Sequence, residues 1–316
     1  MKVAVFDLGS NTTKLLVADV DVYSTPRIIA EESRACRLTE AGGESIRFPE
    51  KSIERMLGIL AELVKIARMH KVEVMKAVAT EAFRKSENTR ELIDLVQESL
   101  GLSISVLSGS EEAGAIAAGL LTDPMISGLD DFHAIDIGGG SMEIIAVHKR
   151  KVTALESLPL GASVISERFC SDASSRWADS ACWDAKNFVA DLLHSVASPM
   201  LSVPCSSLIG SGGTLVFLRA ILSGEAGVET KDKSSIAFSE STALFERISQ
   251  MTLDQRVSSY SSLPSSRADI FPGGLLVLNE VMSYFQKADI LHSYHNLRHG
   301  IAIKLATELE KQPNSD

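Results

Sequence analysis

Three glycine turns carry the residues best suited to chemistry. Asp7-Leu8-Gly9-Ser10-Asn11 and Asp136-Ile137-Gly138-Gly139-Gly140-Ser141 each follow an apolar strand and continue into small polar residues. With no Cβ in the way, backbone N–H groups at such a turn can cradle phosphate oxygens. An aspartate beside that cradle is placed to hold magnesium, directly or through water. One DxG turn alone more often just closes a hairpin. Two at matched places, each with Ser or Thr behind, point to anion binding. The third turn, Gly210-Ser211-Gly212-Gly213-Thr214, sits between apolar Leu208-Ile209 and a helical stretch from Leu215 to Leu222. A strand, a glycine turn and a helix N-terminus make an anion site.

The first two turns belong to a repeat. Residues 3–18, VAVFDLGSNTTKLLVA, and 133–148, HAIDIGGGSMEIIAVH, align with Asp7 on Asp136 and Leu15-Leu16 on Ile144-Ile145. Each copy reads as a β-hairpin followed by a third apolar stretch, near 27–30 in one half and 152–155 in the other. Residues 52–69 then carry Ile53, Met56, Leu57, Leu60, Val64 and Ala67 on one helical face, with Ser52 as the expected N-cap. Ala77–Thr80 reads as a strand. Asn88-x-x-Glu91 reads as a capping box opening a helix that ends near Gly101. A strand at 103–107 and a helix over 110–121 complete the half. This order indicates an α/β or α+β layer structure. Thr122-Asp123-Pro124 breaks the pattern and sets domains of 1–123 and 124–316. Residues 170–183 show no period.

Composition narrows the rest. The chain has 316 residues, 45% hydrophobic and 23% charged, with a net charge of −10. Nucleic-acid and membrane-surface binding want a basic field and are disfavoured. An anionic ligand would need local donors: backbone amides, a metal and a few arginines. The four cysteines form no CxxC pair and read as small buried hydrophobes of a reducing compartment. The N-terminus is no signal-peptide core and no run approaches membrane-spanning length, so a cytoplasmic protein is expected. The seven histidines form no HxH or HExxH motif, and His292, His295 and His299 read as a loop.

Nine segments, in order over nearly the whole chain, carry a resemblance. They are Asp7–Asn11, Arg37-Leu38 with Glu40, Ala79–Arg84 with Asn88, Ser108–Ala113, Asp136–Ser141 with Glu143, Leu158–Gly161, Gly210–Thr214, Arg267–Asp269, and Leu297-Arg298 with Gly300. The chain resembles the exopolyphosphatase / guanosine pentaphosphate phosphohydrolase family, within the superfamily of actin, heat-shock ATPases and sugar kinases. The resemblance implies two actin-like (ribonuclease H-like) domains related by duplication, with a cleft between them. It is to a short, two-domain member, ending where longer members continue into a helical HD-type domain.

The resemblance also implies roles. Glu112 matches the family residue that activates water, and Arg84 the arginine that reaches the phosphoryl group. From spacing alone, Glu111 and Glu112 equally suit a plain helix start, and Arg84 a solvated surface position beside Lys85. Gly9, Ser10, Asn11, Gly138, Gly139, Ser141, Gly212, Gly213, Thr214 and Arg298 are the implied phosphate contacts. Asp7, Asp136 and Glu143 are the implied ligands of Mg²⁺, with Mn²⁺ as an alternative. Met142, Asn296 and His299 stand where the family usually has threonine, glycine and glutamate. The implied reaction is release of terminal phosphate from polyphosphate or guanosine pentaphosphate, and a homodimer is compatible with it. A kinase or ATPase of the same superfamily, and a non-catalytic sensor of a phosphate-rich signal, stay open as alternatives.

Overall fold

The computed structural model describes residues 1–21, 25–38, 47–196, 200, 205 and 207–310. Glu40, part of one motif above, lies outside them. Apolar runs, buried almost throughout in the first two strands, make β1 (Lys2–Leu8), β2 (Thr12–Asp19) and β3 (Arg27–Ala35) an antiparallel meander. α1 (Glu50–Met69) leads into β4 (Val74–Ala79), parallel to β1. α2 (Glu81–Lys85) and α3 (Thr89–Leu100) precede β5 (Ile104–Val106), parallel to β4, and α4 (Gly109–Leu120) follows.

The second copy repeats the pattern. β6 (Phe132–Ile137), β7 (Met142–His148) and β8 (Lys151–Leu158) form the next meander. α5 (Ala162–Phe169) and α6 (Asp179–Val196) follow it, so the unassigned stretch runs into a helix from Asp179. β9 (Ser207–Ser211), parallel to β6, enters α7 (Gly213–Ala226). Then come β10 (Ser235–Ala237), α8 (Phe238–Ser249), α9 (Leu253–Ser259), α10 (Ser265–Ala268), α11 (Phe271–Tyr284), β11 (Asp289–His292) and α12 (Leu297–Glu310). The sheets run β3-β2-β1-β4-β5 and β8-β7-β6-β9-β11-β10, the same order with one added edge strand. This is the duplicated α/β architecture expected. Among the described residues no helix is long and apolar enough to cross a membrane.

The chain forms two compact units, Met1–Ser127 with His295–Asp316, and Gly128–Tyr294. The sequence boundary had kept all of 124–316 together; instead α12 packs in the first unit. Two glycines make that possible. A Cβ on Gly300 would lie 1.8 Å from the Ala115 carbonyl oxygen, and one on Gly119 would lie 2.0 Å from that of Asn296. α4 and α12 therefore meet backbone to backbone. Each unit has its own core: Phe6, Leu15, Val17, Met56, Leu60 and Val96 in the first, Ile135, Ile144, Trp177, Leu215, Phe271 and Leu278 in the second.

Local details depart from the sequence reading. Pro49, not Ser52, caps α1, because its extended backbone starts the helix three residues earlier. Ser52 sits inside the helix and donates to the Arg37 carbonyl at 3.3 Å. Asn88 makes no capping box. Its amide accepts from Phe48 N at 2.9 Å and donates to Phe48 O at 3.1 Å, while Glu91 pairs with Arg47. The three C-terminal histidines are not one loop: His292 ends β11, and His299, in α12, stacks on His295 with centroids 4.2 Å apart.

Candidate active site

The two DxG turns have one geometry. Gly9 N donates to Thr12 O at 3.1 Å, and Gly138 N to Ser141 O at 3.0 Å. In the first unit, Cys36 N and Arg37 N donate to Asn11 O, and Leu38 N donates to Ser10 O. In the second, Ala162 N donates to Gly138 O and Ser163 N to Gly139 O, both at 2.9 Å. A trans peptide points its C=O and N–H in opposite directions. Tying those carbonyls to the next loop or helix therefore turns the amides of Asn11, Gly139 and Gly140 the other way, as an anion cradle needs.

The aspartates of the two copies have different neighbours. Asp7 faces Lys14 across β1 and β2, with Lys14 facing Ser33 on β3. Lys14 Nζ lies 4.0 Å from Asp7 Oδ2. Asp136 faces Glu143 on β7 and Ser211 on β9, and Glu143 faces Ser157 on β8. Ser211 Oγ donates to Asp136 at 2.6 Å and Ser157 Oγ to Glu143 at 2.8 Å. The first row thus pairs a carboxylate with a cation, while the second sets two carboxylates side by side. Lys14 aligns with Glu143 in the repeat, so this exchange was readable from sequence but is plain only once the strands are in register.

Two carboxylates and nearby hydroxyls are hard oxygen donors, and magnesium typically takes one or two carboxylates, keeping waters and substrate oxygens for the rest. Asp136 and Glu143 fit such an ion. Among the described residues no group of three or more His, Cys, Asp or Glu is gathered for a metal. Asp7, with Lys14 as its neighbour, fits one less well. Met142, next to Glu143, is fully buried in the core of its unit, so its thioether fills space there.

The glutamate pair at the start of α4 is divided by geometry. Ser108 is the N-cap, and Glu111 completes a capping box, accepting from Ser108 N and Ser108 Oγ, both at 2.8 Å. The hydrogen bond from the Ser108 amide holds the Glu111 carboxyl below the usual glutamate range. Glu112, one residue on, is 6% exposed and turns inward. Arg84, which follows β4 on α2, donates to Glu112 Oε2 at 2.8 Å and to the Leu107 carbonyl at 2.7 Å. Arg84 is therefore no surface arginine. α2 and α4 follow the parallel strands β4 and β5, so this ion pair sits at the same strand ends as the Asp7 turn.

The third turn is tight. Gly212 has φ 97°, and a Cβ there would lie 2.5 Å from Ile137 O and 2.8 Å from Asp136 Oδ1. Only glycine lets this backbone close on the aspartate. Arg267 brings a guanidinium within 3.8 Å of the Cβ position of Gly213, which sets a cation at the start of α7. Its motif is visible in the sequence, but its place beside Gly213 is a long-range contact. The Thr214 hydroxyl lies against Gly274 of α11, packed inside the unit.

Arg298 has another task. Its terminal nitrogens donate to Leu15 O at 2.9 Å and to Glu31 at 2.8 Å, and its side chain is 9% exposed. Those bonds fasten α12 to β2 and β3. These contacts give Arg298 a structural role within its unit, and Glu31 supplies the counter-charge that His299 lacks. Burial pushes His299 down to about 2, so it stands neutral beside the guanidinium.

Paired aspartate turns, a buried Arg–Glu pair at a helix start and two adjoining carboxylates define a duplicated α/β protein that handles phosphate. A family model described as the Ppx/GppA phosphatase family matches residues 16–309. The chain belongs to the Ppx/GppA phosphatase family. It is 25% identical to exopolyphosphatase 2 of Mycobacterium tuberculosis, over 96% of this chain and 98% of that one. The fold matches the Aquifex aeolicus member of the Ppx/GppA protein family, with a TM-score of 0.80 and 24% identity over 100% of this chain and 99% of that one. It also matches an exopolyphosphatase from Cytophaga hutchinsonii, with a TM-score of 0.84 and 22% identity over 98% of each chain.

Proposed function

We propose that this protein hydrolyses phosphoanhydrides, releasing terminal phosphate from inorganic polyphosphate, with Glu112 as general base. The observation that carries this is the buried Glu112 held against Arg84. A carboxylate fixed by a guanidinium and a helix start can take a proton from attacking water. The same guanidinium can receive charge that develops on the phosphoryl oxygens. Within the same unit, backbone amides of the Asp7–Asn11 turn can hold the remaining oxygens, and Lys14 adds positive charge. Asp136 and Glu143 would hold magnesium, which when bound neutralises phosphate charge; manganese offers the same donors a similar ion.

Phosphate release from medium-length polyphosphate, with and without magnesium, tests the reading. Guanosine pentaphosphate in a parallel assay shows whether its terminal phosphoanhydride is also cut. Binding of polyphosphate without any release would make the protein a sensor, and transfer of phosphate from ATP to an acceptor would make it a kinase. Asp136→Asn replaces an anionic ligand with a neutral one. The magnesium needed for half-maximal rate should rise by at least the roughly 10-fold that even outer-shell partners carry. Unchanged metal dependence with full activity would remove Asp136 from the site.

A further inference from the structure

Each copy of the repeat carries a row of four residues across its sheet, level with the aspartate of its turn. In the second sheet Ser157, Glu143, Asp136 and Ser211 stand side by side on β8, β7, β6 and β9. In the first, the same four places on β3, β2, β1 and β4 hold Ser33, Lys14, Asp7 and Val78. The backbones agree, since Gly9 and Gly138 close their turns with hydrogen bonds of 3.1 and 3.0 Å. The aspartate and the outer serine are common to both rows. A lysine replaces the second carboxylate, and a valine replaces the serine that donates to Asp136 at 2.6 Å.

Lys14 Nζ lies 4.0 Å from Asp7 Oδ2, and the two side chains are 26% and 15% exposed. A partly buried pair of this kind is screened far less than one in open water. A divalent ion on Asp7 would meet the ammonium a few ångströms away, and their repulsion is twice that between two unit charges. The ammonium has three donors and no acceptor, so it cannot itself ligate a metal. The second row has the opposite need. Two carboxylates side by side disfavour each other's charge unless a cation joins them.

We propose that Lys14 is a resident cation that takes, in the first repeat, the place a divalent ion takes in the second. The protein then binds one such ion, at Asp136 and Glu143, and none at Asp7. This rests on the reading of Asp136 and Glu143 as metal ligands given above. Duplication has kept a positive charge beside both aspartates and changed what carries it. The lysine charge is covalently fixed, so a chelator that strips the second row leaves the first as it was.

Titration with Mn²⁺ alone, followed by the paramagnetic signal of the free ion and by calorimetry, counts the sites. Wild type should hold one ion. Asp136→Asn should weaken it by roughly 10-fold or more, and Asp7→Asn should leave its affinity unchanged. Lys14→Glu sets a second carboxylate beside Asp7 and should add a second ion, which Asp7→Asn in the same chain should remove. Val78 offers no hydroxyl like that of Ser211, so the added site should be roughly 10- to 100-fold weaker than the first, the usual cost of an outer partner. Mn²⁺ should also raise the Tm of Lys14→Glu above the rise seen in wild type, by mass action. Two ions in wild type, or loss of the single ion in Asp7→Asn, overturns the proposal. So does a folded Lys14→Glu protein that gains no ion. Should that variant not fold, Asp7→Asn against Asp136→Asn decides alone. A wild type that binds no Mn²⁺ defeats the metal reading of Asp136 and Glu143, and whether Lys14→Glu gains an ion then decides Lys14.

Discussion

Glu112→Gln is expected to cut turnover by roughly two to four orders of magnitude while polyphosphate still binds. The amide keeps the shape and a hydrogen-bond acceptor for Arg84 but cannot accept a proton from water. Folding should be nearly untouched, since the buried pair keeps its geometry. Glu111→Ala is the matched control. Its carboxylate caps α4 through Ser108, so Glu111→Ala should lower stability modestly and leave turnover close to wild type. That capping carboxyl has a depressed pKa, so its contribution is present above the unfolded value and fades as pH falls through the folded one. Polyphosphatase rates are the deciding measurement. A severe Glu111→Ala and a mild Glu112→Ala would reverse the assignment.

The second large effect concerns packing. Gly300→Ala puts a methyl group where the Ala115 carbonyl oxygen stands, 1.8 Å away. Backbone meets backbone there, so no rotamer change relieves the clash and α12 must move off α4. Overpacking ordinarily costs about 1–3 kcal/mol, and this case belongs at or above the upper end. Thermal unfolding should show a fall in Tm of roughly 6–12 °C. The Arg298 bonds to Leu15 and Glu31 would slacken with it. A Tm within a degree of wild type would mean that α12 docks less closely than described.

Much of the fold was legible because short apolar runs, glycine turns and period-3.6 apolar patterns are local. The repeat gave both hairpins, and their turns agree to 0.1 Å in the Gly9 and Gly138 hydrogen bonds. Long-range partners were not legible. Asn88 looks like a cap in sequence, yet Phe48, distant in the chain, claims its amide. Arg298 sits in a motif that suggests phosphate, but its partners lie on β2 and β3. Glu111 and Glu112 are indistinguishable as letters. They part only when the helix start is built, because the third helical residue faces the cap and the fourth faces inward. The Arg84–Glu112 bond needs two helices that sequence cannot bring together.

The division of the chain into units has a consequence during synthesis. Gly128–Tyr294 is continuous, so every contact of that unit is available once Tyr294 has left the ribosome. The other unit begins first and finishes last. Its sheet, with the Asp7 turn and the Arg84–Glu112 pair, emerges early but lacks the helix that lies along α4 and anchors β2 and β3. Domains usually mature in the order they are made. Here the earlier-born half must wait, its Gly119 groove uncovered, while the whole second half is translated and folds. Among the described residues, α12 appears last, and it is the helix that seals the first sheet.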